Sequence, residues 1–142
     1  MICPVILGSR SAFLWKRTSL RQANAELQPG EYLLAFLDDV YPITSKNRAA
    51  EVAHLVAATI HEHAGVEPKL GKFQLWGRGG GPEPPGIDAL LDGAPRPAVP
   101  IWKGDLDAEQ NGIVILGTPV GTREFVQCFL ANRLDVHGAL VG

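Results

Sequence analysis

Two adjacent acidic residues, Asp38 and Asp39, interrupt the most apolar stretch of this sequence. They follow the run Tyr-Leu-Leu-Ala-Phe-Leu at 32–37, which has the length of a buried strand. A second β-favouring pair, Val40-Tyr41, comes directly after them. Asp supports tight turns, and hard cations such as Mg²⁺ prefer carboxylate oxygens. The pattern therefore predicts a β-hairpin with two potential metal ligands at its tip, and a solvated turn without chemistry is the alternative.

Length and composition describe one ordinary globular domain. The chain has 142 residues, of which 46% are hydrophobic and 20% are charged, enough for a core of its own. A formal net charge of -2 argues against strong phosphate binding by bulk charge. Cys3 and Cys128 are isolated from each other and fit a reducing compartment. No run resembles a signal peptide or a bilayer span, so we expect a soluble, intracellular protein.

Two helices are predicted around the hairpin. A short one covers residues 19–27, and a longer one is capped by Thr44 or Ser45 and stops at Gly65. Pro42 falls in the return strand, where it donates no ladder hydrogen bond, so it predicts a sheet edge or a bulge. The apolar stripe of the longer helix recurs at helical spacing and consists of Ala49, Val52, Ala53, Val56 and Ile60. The histidines near its end, His54, His61 and His63, lack the spacing of a metal site.

The rest of the sequence alternates apolar runs with turn-forming segments. Residues 69–76 predict a strand in which Phe73 and Leu75 face one way and Lys72 the other. The Gly/Pro-rich stretch within 77–100 predicts a flexible surface loop, with one helical turn at 87–91. The run at 112–117 followed by Thr-Pro predicts a second hairpin. A last helix is capped by Thr122 and ends before Gly138.

Three blocks, in this order, resemble the second half of a reverse-transcriptase palm, in the form that non-LTR retrotransposons carry. The sequence Phe-Leu-Asp-Asp-Val-Tyr at 36–41 is similar to the catalytic hairpin of that family. Gly71-Lys72 with Trp76 resembles its lysine-bearing segment, and Leu-Gly-Thr-Pro at 116–119 resembles its primer grip. The resemblance covers residues 20–134 as a partial palm with the loop 77–100. It leaves 1–19 as an unassigned segment and 135–142 as a tail.

The resemblance implies a two-metal nucleotidyl transfer, as in RNA-directed DNA polymerases. Asp38 would be a direct Mg²⁺ ligand and Asp39 a weaker one. Lys72 would act as a general acid toward the leaving pyrophosphate. Leu116, Gly117 and Thr118 would contact the DNA primer on its RNA template, although Leu116 also reads as a core residue. Phe73 and Gly77 depart from the family pattern. A nuclear location would be consistent with this ancestry.

One requirement of that mechanism is missing from the sequence. The reaction needs a third carboxylate from an earlier palm strand, and the only acids before Asp38 are Glu26 and Glu31. Neither of them ends an apolar strand. We therefore expect a fragment that lacks the first palm aspartate, the fingers and the thumb, and that does not polymerise by itself.

The fold expectation is α+β, an antiparallel sheet with helices on one face, as in a partial polymerase palm or a ferredoxin-like fold. A different function class gives the same fold: a small non-catalytic interaction module in which Asp38-Asp39 is only a turn. Another protein chain could cover exposed sheet or helix surface in either case. A metal-dependent hydrolase is a third option, but no His or Glu lies at a useful spacing.

Overall fold

The computed structural model describes residues 5–6, 13–36, 39–65, 67 and 72–141. This described part contains helices and two small antiparallel sheets, which confirms the α+β class. The elements are β1 Val5–Ile6, α1 Phe13–Ala25, β2 Tyr32–Phe36, β3 Asp39–Ile43, α2 Ala49–Ala64, α3 Ile87–Leu90, β4 Gly112–Ile115, β5 Thr118–Gly121 and α4 Arg123–Val141.

The first sheet has the strand order β1-β3-β2, with both neighbouring pairs antiparallel. Helix α1 connects β1 to β2, and β3 is inserted between these two strands, so the unit is a split β-α-β arrangement of the ferredoxin-like kind. Leu33 lies opposite Pro42, and Ala35 lies opposite Val40. Leu33 and Val40 belong to the core that also contains Ala23 of α1 and the buried stripe of α2. Both helices therefore cover the same face of this sheet, as the sequence predicts.

Pro42 lies inside β3 rather than at a bulge, and it is fully buried. Strand β1 pairs only with Asp39 and Val40, so along the described residues it ends before it reaches Pro42. Within the described residues no strand pairs with Pro42 on the β1 side, so the proline, which lacks a backbone N–H, interrupts no described hydrogen bond there.

The two predicted helices have different beginnings in the structure. The first begins at Phe13, six residues before the predicted start, so the segment 1–19 contributes β1 and the beginning of α1. The second opens with a 3₁₀ turn, Lys46–Arg48, and Ser45 forms no side-chain capping bond. Gly65 ends α2 in the left-handed conformation at φ 64°, as predicted.

The predicted strand at 69–76 is wrong within the residues that the structure describes. Leu75 and Trp76 are isolated bridge positions, Leu75 in a parallel bridge with Trp102, and Lys72 lies in a 3₁₀ turn. The predicted alternation is nevertheless present, since Phe73 and Leu75 are buried and Lys72 is exposed. Alternating hydrophobicity decides which side faces the core, but it does not supply a neighbouring strand to pair with.

The Gly/Pro-rich loop is packed against the body of the protein, which corrects the prediction of a flexible connection. The Trp102 indole N–H donates to the Gly81 carbonyl at 2.8 Å, and the Lys46 ammonium donates to the Gly80 carbonyl at 3.0 Å. A methyl group on Gly80 would lie 3.0 Å from the Gly104 carbonyl oxygen, so the backbone approaches closely there. The sequence shows the absence of regular structure, whereas these contacts depend on residues 20 or more positions away.

The second hairpin and the last helix follow the prediction, with one exception. Strands β4 and β5 pair from Gly112 with Gly121 to Ile115 with Thr118. The Thr122 hydroxyl accepts a hydrogen bond from the Phe125 N–H at 3.2 Å and so caps α4. The helix continues through Gly138 to Val141 instead of stopping before it. A single glycine inside a helix costs about 1 kcal/mol, which is not enough to end it without a stronger stop signal.

Candidate functional site

Asp39 is the first residue of β3 and lies at the tip end of the predicted hairpin. Its strand partner is Phe36, the last residue of β2. Leu37 and Asp38 form the connection and lie outside the described residues, so the prediction for Asp38 stays a prediction. The hairpin around the acids is thus confirmed through its two strands and through Asp39.

Asp39 lies on the face of the sheet opposite to the one that α1 and α2 cover. Side chains alternate along a strand, so Asp39 and Tyr41 project opposite to the buried Val40. The same face of β2 carries Tyr32 and Leu34, whose side chains are 61% and 53% exposed. The Asp39 carboxylate is therefore partly exposed, and the β2 side of this face carries exposed apolar side chains.

Tyr41 is the direct partner of Asp39. Its phenol donates a hydrogen bond of 3.0 Å to Asp39 Oδ2, and the tyrosine residue is only 4% exposed. Burial and this contact with the carboxylate raise the pKa of Tyr41 to about 12. The phenol therefore remains a proton donor at neutral pH, and a cation approaching Asp39 competes with it for Oδ2.

The turn between β4 and β5 also reaches this position. A backbone hydrogen bond from Leu116 to the Tyr41 hydroxyl partly offsets the rise in the tyrosine pKa. Leu116 and Gly117 have φ angles of 52° and 79°, as a two-residue hairpin turn of type I′ requires. The interpretation of Leu116 as a core residue is wrong, because its side chain is 53% exposed at the turn. Such a φ angle is unfavourable for leucine, so the turn is locally strained.

The structure shows less about the other predicted site residues, Thr118, Lys72 and Gly71. Thr118 begins β5, pairs with Ile115 and is exposed. Lys72 is exposed and forms no hydrogen bond or ion pair with the residues that the structure describes. Gly71 lies outside the described residues. The structure therefore joins Asp39 to the Leu116 turn through Tyr41, and it shows no direct contact of Lys72 with either.

Glu31 cannot complete a metal site with Asp39. It precedes β2, whereas Asp39 is paired with the last residue of that strand, so the two are roughly 16 Å apart along five residues. Its carboxylate accepts hydrogen bonds from Arg48 Nε at 2.7 Å and from the Thr44 hydroxyl at 2.6 Å. Arg48 Nη2 and the Gln28 N–H also donate to this carboxylate, at 3.2 Å and 2.8 Å. Glu31 fixes the beginning of α2 against the sheet, which is a structural role.

The strand beside Asp39 also supplies no carboxylate. Ile6 of β1 is the residue paired with Asp39, and the first acid in the sequence is Glu26. Within the described residues no group of three or more His, Cys, Asp or Glu side chains could hold a metal ion. The donor set described around Asp39 therefore does not fit two divalent ions.

Sequence reasoning missed Tyr41 as a site residue. The sequence pattern places Tyr41 in the return strand and in the block at 36–41 but gives it no role of its own, although it lies two positions after Asp39. Residues i and i+2 on a strand share a face, so this spacing alone was enough to place the phenol beside the carboxylate. The approach of the Leu116 turn had no comparable local signal, because 75 positions separate it from Tyr41.

We expect the Glu31 network to make folding stability depend on pH. The Arg48 side chain is the main cause that lowers the pKa of Glu31 from 4.5 to about 2. A carboxyl with a lowered pKa stabilises the folded state fully above 4.5, and this contribution is lost as the pH falls through about 2. Denaturant unfolding of Glu31→Gln should lack this loss of stability. Glu51→Gln, at a position 68% exposed, should keep it, and an unchanged pH profile in Glu31→Gln would contradict the assignment.

Comparison with protein-family models, curated proteins and solved structures gives no match for this chain. Among the described residues, no helix is long and apolar enough to cross a membrane.

Proposed function

We propose that this chain is the C-terminal part of a reverse-transcriptase palm of the non-LTR retrotransposon type. The observation that carries the proposal is the meeting of two distant elements at Asp39. The acid lies on the face of a split β-α-β sheet opposite to α1 and α2, and the Leu116 turn contacts Tyr41 beside it. The catalytic hairpin and the primer grip of the resemblance are the two elements concerned.

In the parent enzyme the reaction would be RNA-directed DNA synthesis. Bound Mg²⁺ would supply charge stabilisation to the attacking 3′-hydroxyl and the leaving pyrophosphate. In this chain Asp38 and Asp39 would be the metal ligands and Lys72 the proton donor. Leu116, Gly117 and Thr118 would bind the primer on its RNA template. A nuclear location is part of the same proposal.

The isolated chain is proposed to be inactive as a polymerase. Two divalent ions need more carboxylate oxygens than one hairpin supplies, and Glu31 is held by Arg48 at the far end of β2. Ile6, the residue across from Asp39, contributes no charge. At most one ion is expected, bound weakly by the adjacent acids.

The test combines metal binding with primer extension. Titration with Mn²⁺, followed by electron paramagnetic resonance, should show one weak site that Asp38→Ala and Asp39→Ala abolish. The double replacement of the exposed Asp105 and Asp107 by Ala should leave it unchanged. The purified chain with Mg²⁺ and a primed RNA template should not extend the primer. Extension that Asp38→Ala abolishes would contradict the proposed inactivity.

The second candidate function is a non-catalytic interaction module. It is favoured by one observation: the Tyr41 phenol already hydrogen-bonds Asp39 at 3.0 Å, as expected of a structural turn carboxylate. If the chain is such a module, the turn at Asp38 and Asp39 binds no metal ion, and Asp38→Ala therefore leaves the titration unchanged. The Mn²⁺ titration therefore discriminates between the two functions. An aspartate-bearing strand motif in the reading frame upstream of Met1 would favour the palm.

A further inference from the structure

The outer edge of β2 is open in the described part of the chain. Strand β2 is the last strand in the order β1-β3-β2, so along one side its backbone N–H and C=O groups have no strand partner there. Natural proteins protect such edges with charged residues, proline or bulges. The strand is Tyr-Leu-Leu-Ala-Phe, uncharged and without proline. An extended strand is the occupant whose backbone groups match this edge.

A groove accompanies the open edge. It has a volume of about 410 Å³ and lies between α1 and β2. Its lining residues are Leu20, Arg21, Asn24, Leu33 and Ala35. Leu33 and Ala35 therefore border the edge on the helix-covered face, whereas Tyr32 and Leu34 are exposed on the opposite face. A strand added to β2 would be contacted on both faces.

We propose that the occupant is a second copy of this chain, which pairs its own β2 antiparallel to this one about a two-fold axis at Leu34. The sequence of β2 is self-complementary in that register. Tyr32 lies opposite Phe36 of the second copy, Leu33 opposite Ala35, and Leu34 opposite Leu34. Aromatic pairs and pairs of apolar residues stabilise antiparallel strands, and no like charges meet. The described strands of the two copies then form one continuous sheet.

The same two-fold symmetry also brings polar residues of the two grooves, one from each copy, next to each other. Helix α1 leads into β2 through the connection 26–31, so we expect Asn24 to lie nearer to Leu33 and Arg21 nearer to Ala35. Because Leu33 of one copy faces Ala35 of the other, Arg21 approaches Asn24 of the second copy rather than its own equivalent. A cationic donor then meets an amide oxygen, and the two Arg21 side chains do not repel each other.

The surface involved sets the expected strength of the dimer. Stable dimers bury about 800 Å² per partner, and a five-residue strand with its groove provides less. The dimer is therefore expected to be weak and to form in a concentration-dependent manner. An isologous two-fold contact limits the assembly to two chains.

Sedimentation velocity over a range of concentrations, with the full chain, tests the proposal. Leu34→Lys places two ammonium groups opposite each other at the axis and should weaken the dimer by about tenfold or more. Leu34 is 53% exposed, so folding should be retained, as circular dichroism can check. Leu34→Glu should behave like Leu34→Lys. An equimolar mixture of the two variants should dimerise again, because opposite charges then meet at the axis.

The matched control is Leu134→Lys, which changes a residue 71% exposed on α4 and should leave the dimer intact. A monomer at all concentrations up to about 1 mM would overturn the proposal, since even a weak interface associates there. Loss of the dimer in Leu134→Lys with retention in Leu34→Lys would also overturn it, because α4 would then be the interface. Failure of the mixture to dimerise would refute the pairing at Leu34.

Discussion

Replacing Trp102 by Ala is expected to lower the free energy of unfolding by about 3–5 kcal/mol. Trp102 is 3% exposed and belongs to the core cluster with Leu75 and Ile101. Its indole N–H donates to the Gly81 carbonyl at 2.8 Å, and the Lys46 ammonium lies 5.0 Å from the ring centroid. The substitution leaves a large cavity and an unpaired carbonyl. Urea unfolding followed by circular dichroism measures the effect.

A milder substitution distinguishes the contribution of core packing from that of the hydrogen bond between Trp102 and the Gly/Pro-rich loop. Trp102→Phe keeps an aromatic ring in the core but removes the donor to Gly81, so it should cost about 1 kcal/mol from that bond. It should also speed tryptic cleavage after the exposed Arg78, because the Gly/Pro-rich loop is then held less firmly.

Trp76→Phe provides the control for the loop. Trp76 donates its indole N–H to Asn111 at 2.8 Å, outside the Gly/Pro-rich loop, so cleavage after Arg78 should stay at the wild-type rate. Unfolding of Trp102→Ala within about 1 kcal/mol of the wild type would contradict the anchoring role of Trp102.

Replacing Ile6 by Asp is expected to raise the affinity for Mn²⁺ by about tenfold or more, which corresponds to about 1.4 kcal/mol. Position 6 pairs with Asp39 across β1 and β3. Residues directly opposite in antiparallel strands share a face, with Cβ atoms about 5 Å apart, so the new carboxylate would lie beside Asp39. More carboxylate ligands give tighter binding of a hard cation. The variant supplies the ligand that the proposed palm site lacks.

Two variants distinguish metal ligation from other effects. Ile6→Asn is nearly isosteric with Ile6→Asp but uncharged, and it should not raise the Mn²⁺ affinity by the same factor. Ile6→Asp combined with Asp39→Asn should lose most of the gain, since the two carboxylates act together. Equal Mn²⁺ affinity in the wild type and in Ile6→Asp would exclude this edge of the sheet as the metal site.

The sequence determined most of the local structure because its signals are local. The apolar run before Asp38 predicted β2, the spacing of Val52, Val56 and Ile60 predicted α2, and Gly65 marked its end. Thr122 identified the beginning of α4. Each of these depends on residues within one or two turns or within one strand. The side of each element that faces the core follows from the same periodicities.

Errors arose where the outcome depended on distant residues. Of the strand predicted around Lys72, the described residues form isolated bridge positions at Leu75 and Trp76, and the loop after it is fixed by Trp102 and Lys46. Pro42 lies inside β3, and within the described residues β1 pairs only with Asp39 and Val40. None of these facts can be seen in a window of neighbouring residues.

The candidate site shows the same division. Sequence alone proposed Asp38-Asp39 as site residues, the turn at Leu116 and the lack of an acid that ends an earlier apolar strand, because these are questions of residue type and order. Only the tertiary structure decided that Tyr41 hydrogen-bonds Asp39, that Leu116 lies at an exposed turn against Tyr41, and that Glu31 is held by Arg48 away from the site. The sequence specifies which side chains are present and in what order. The distances between strands and turns depend on how the sheet, the helices and the loops pack together.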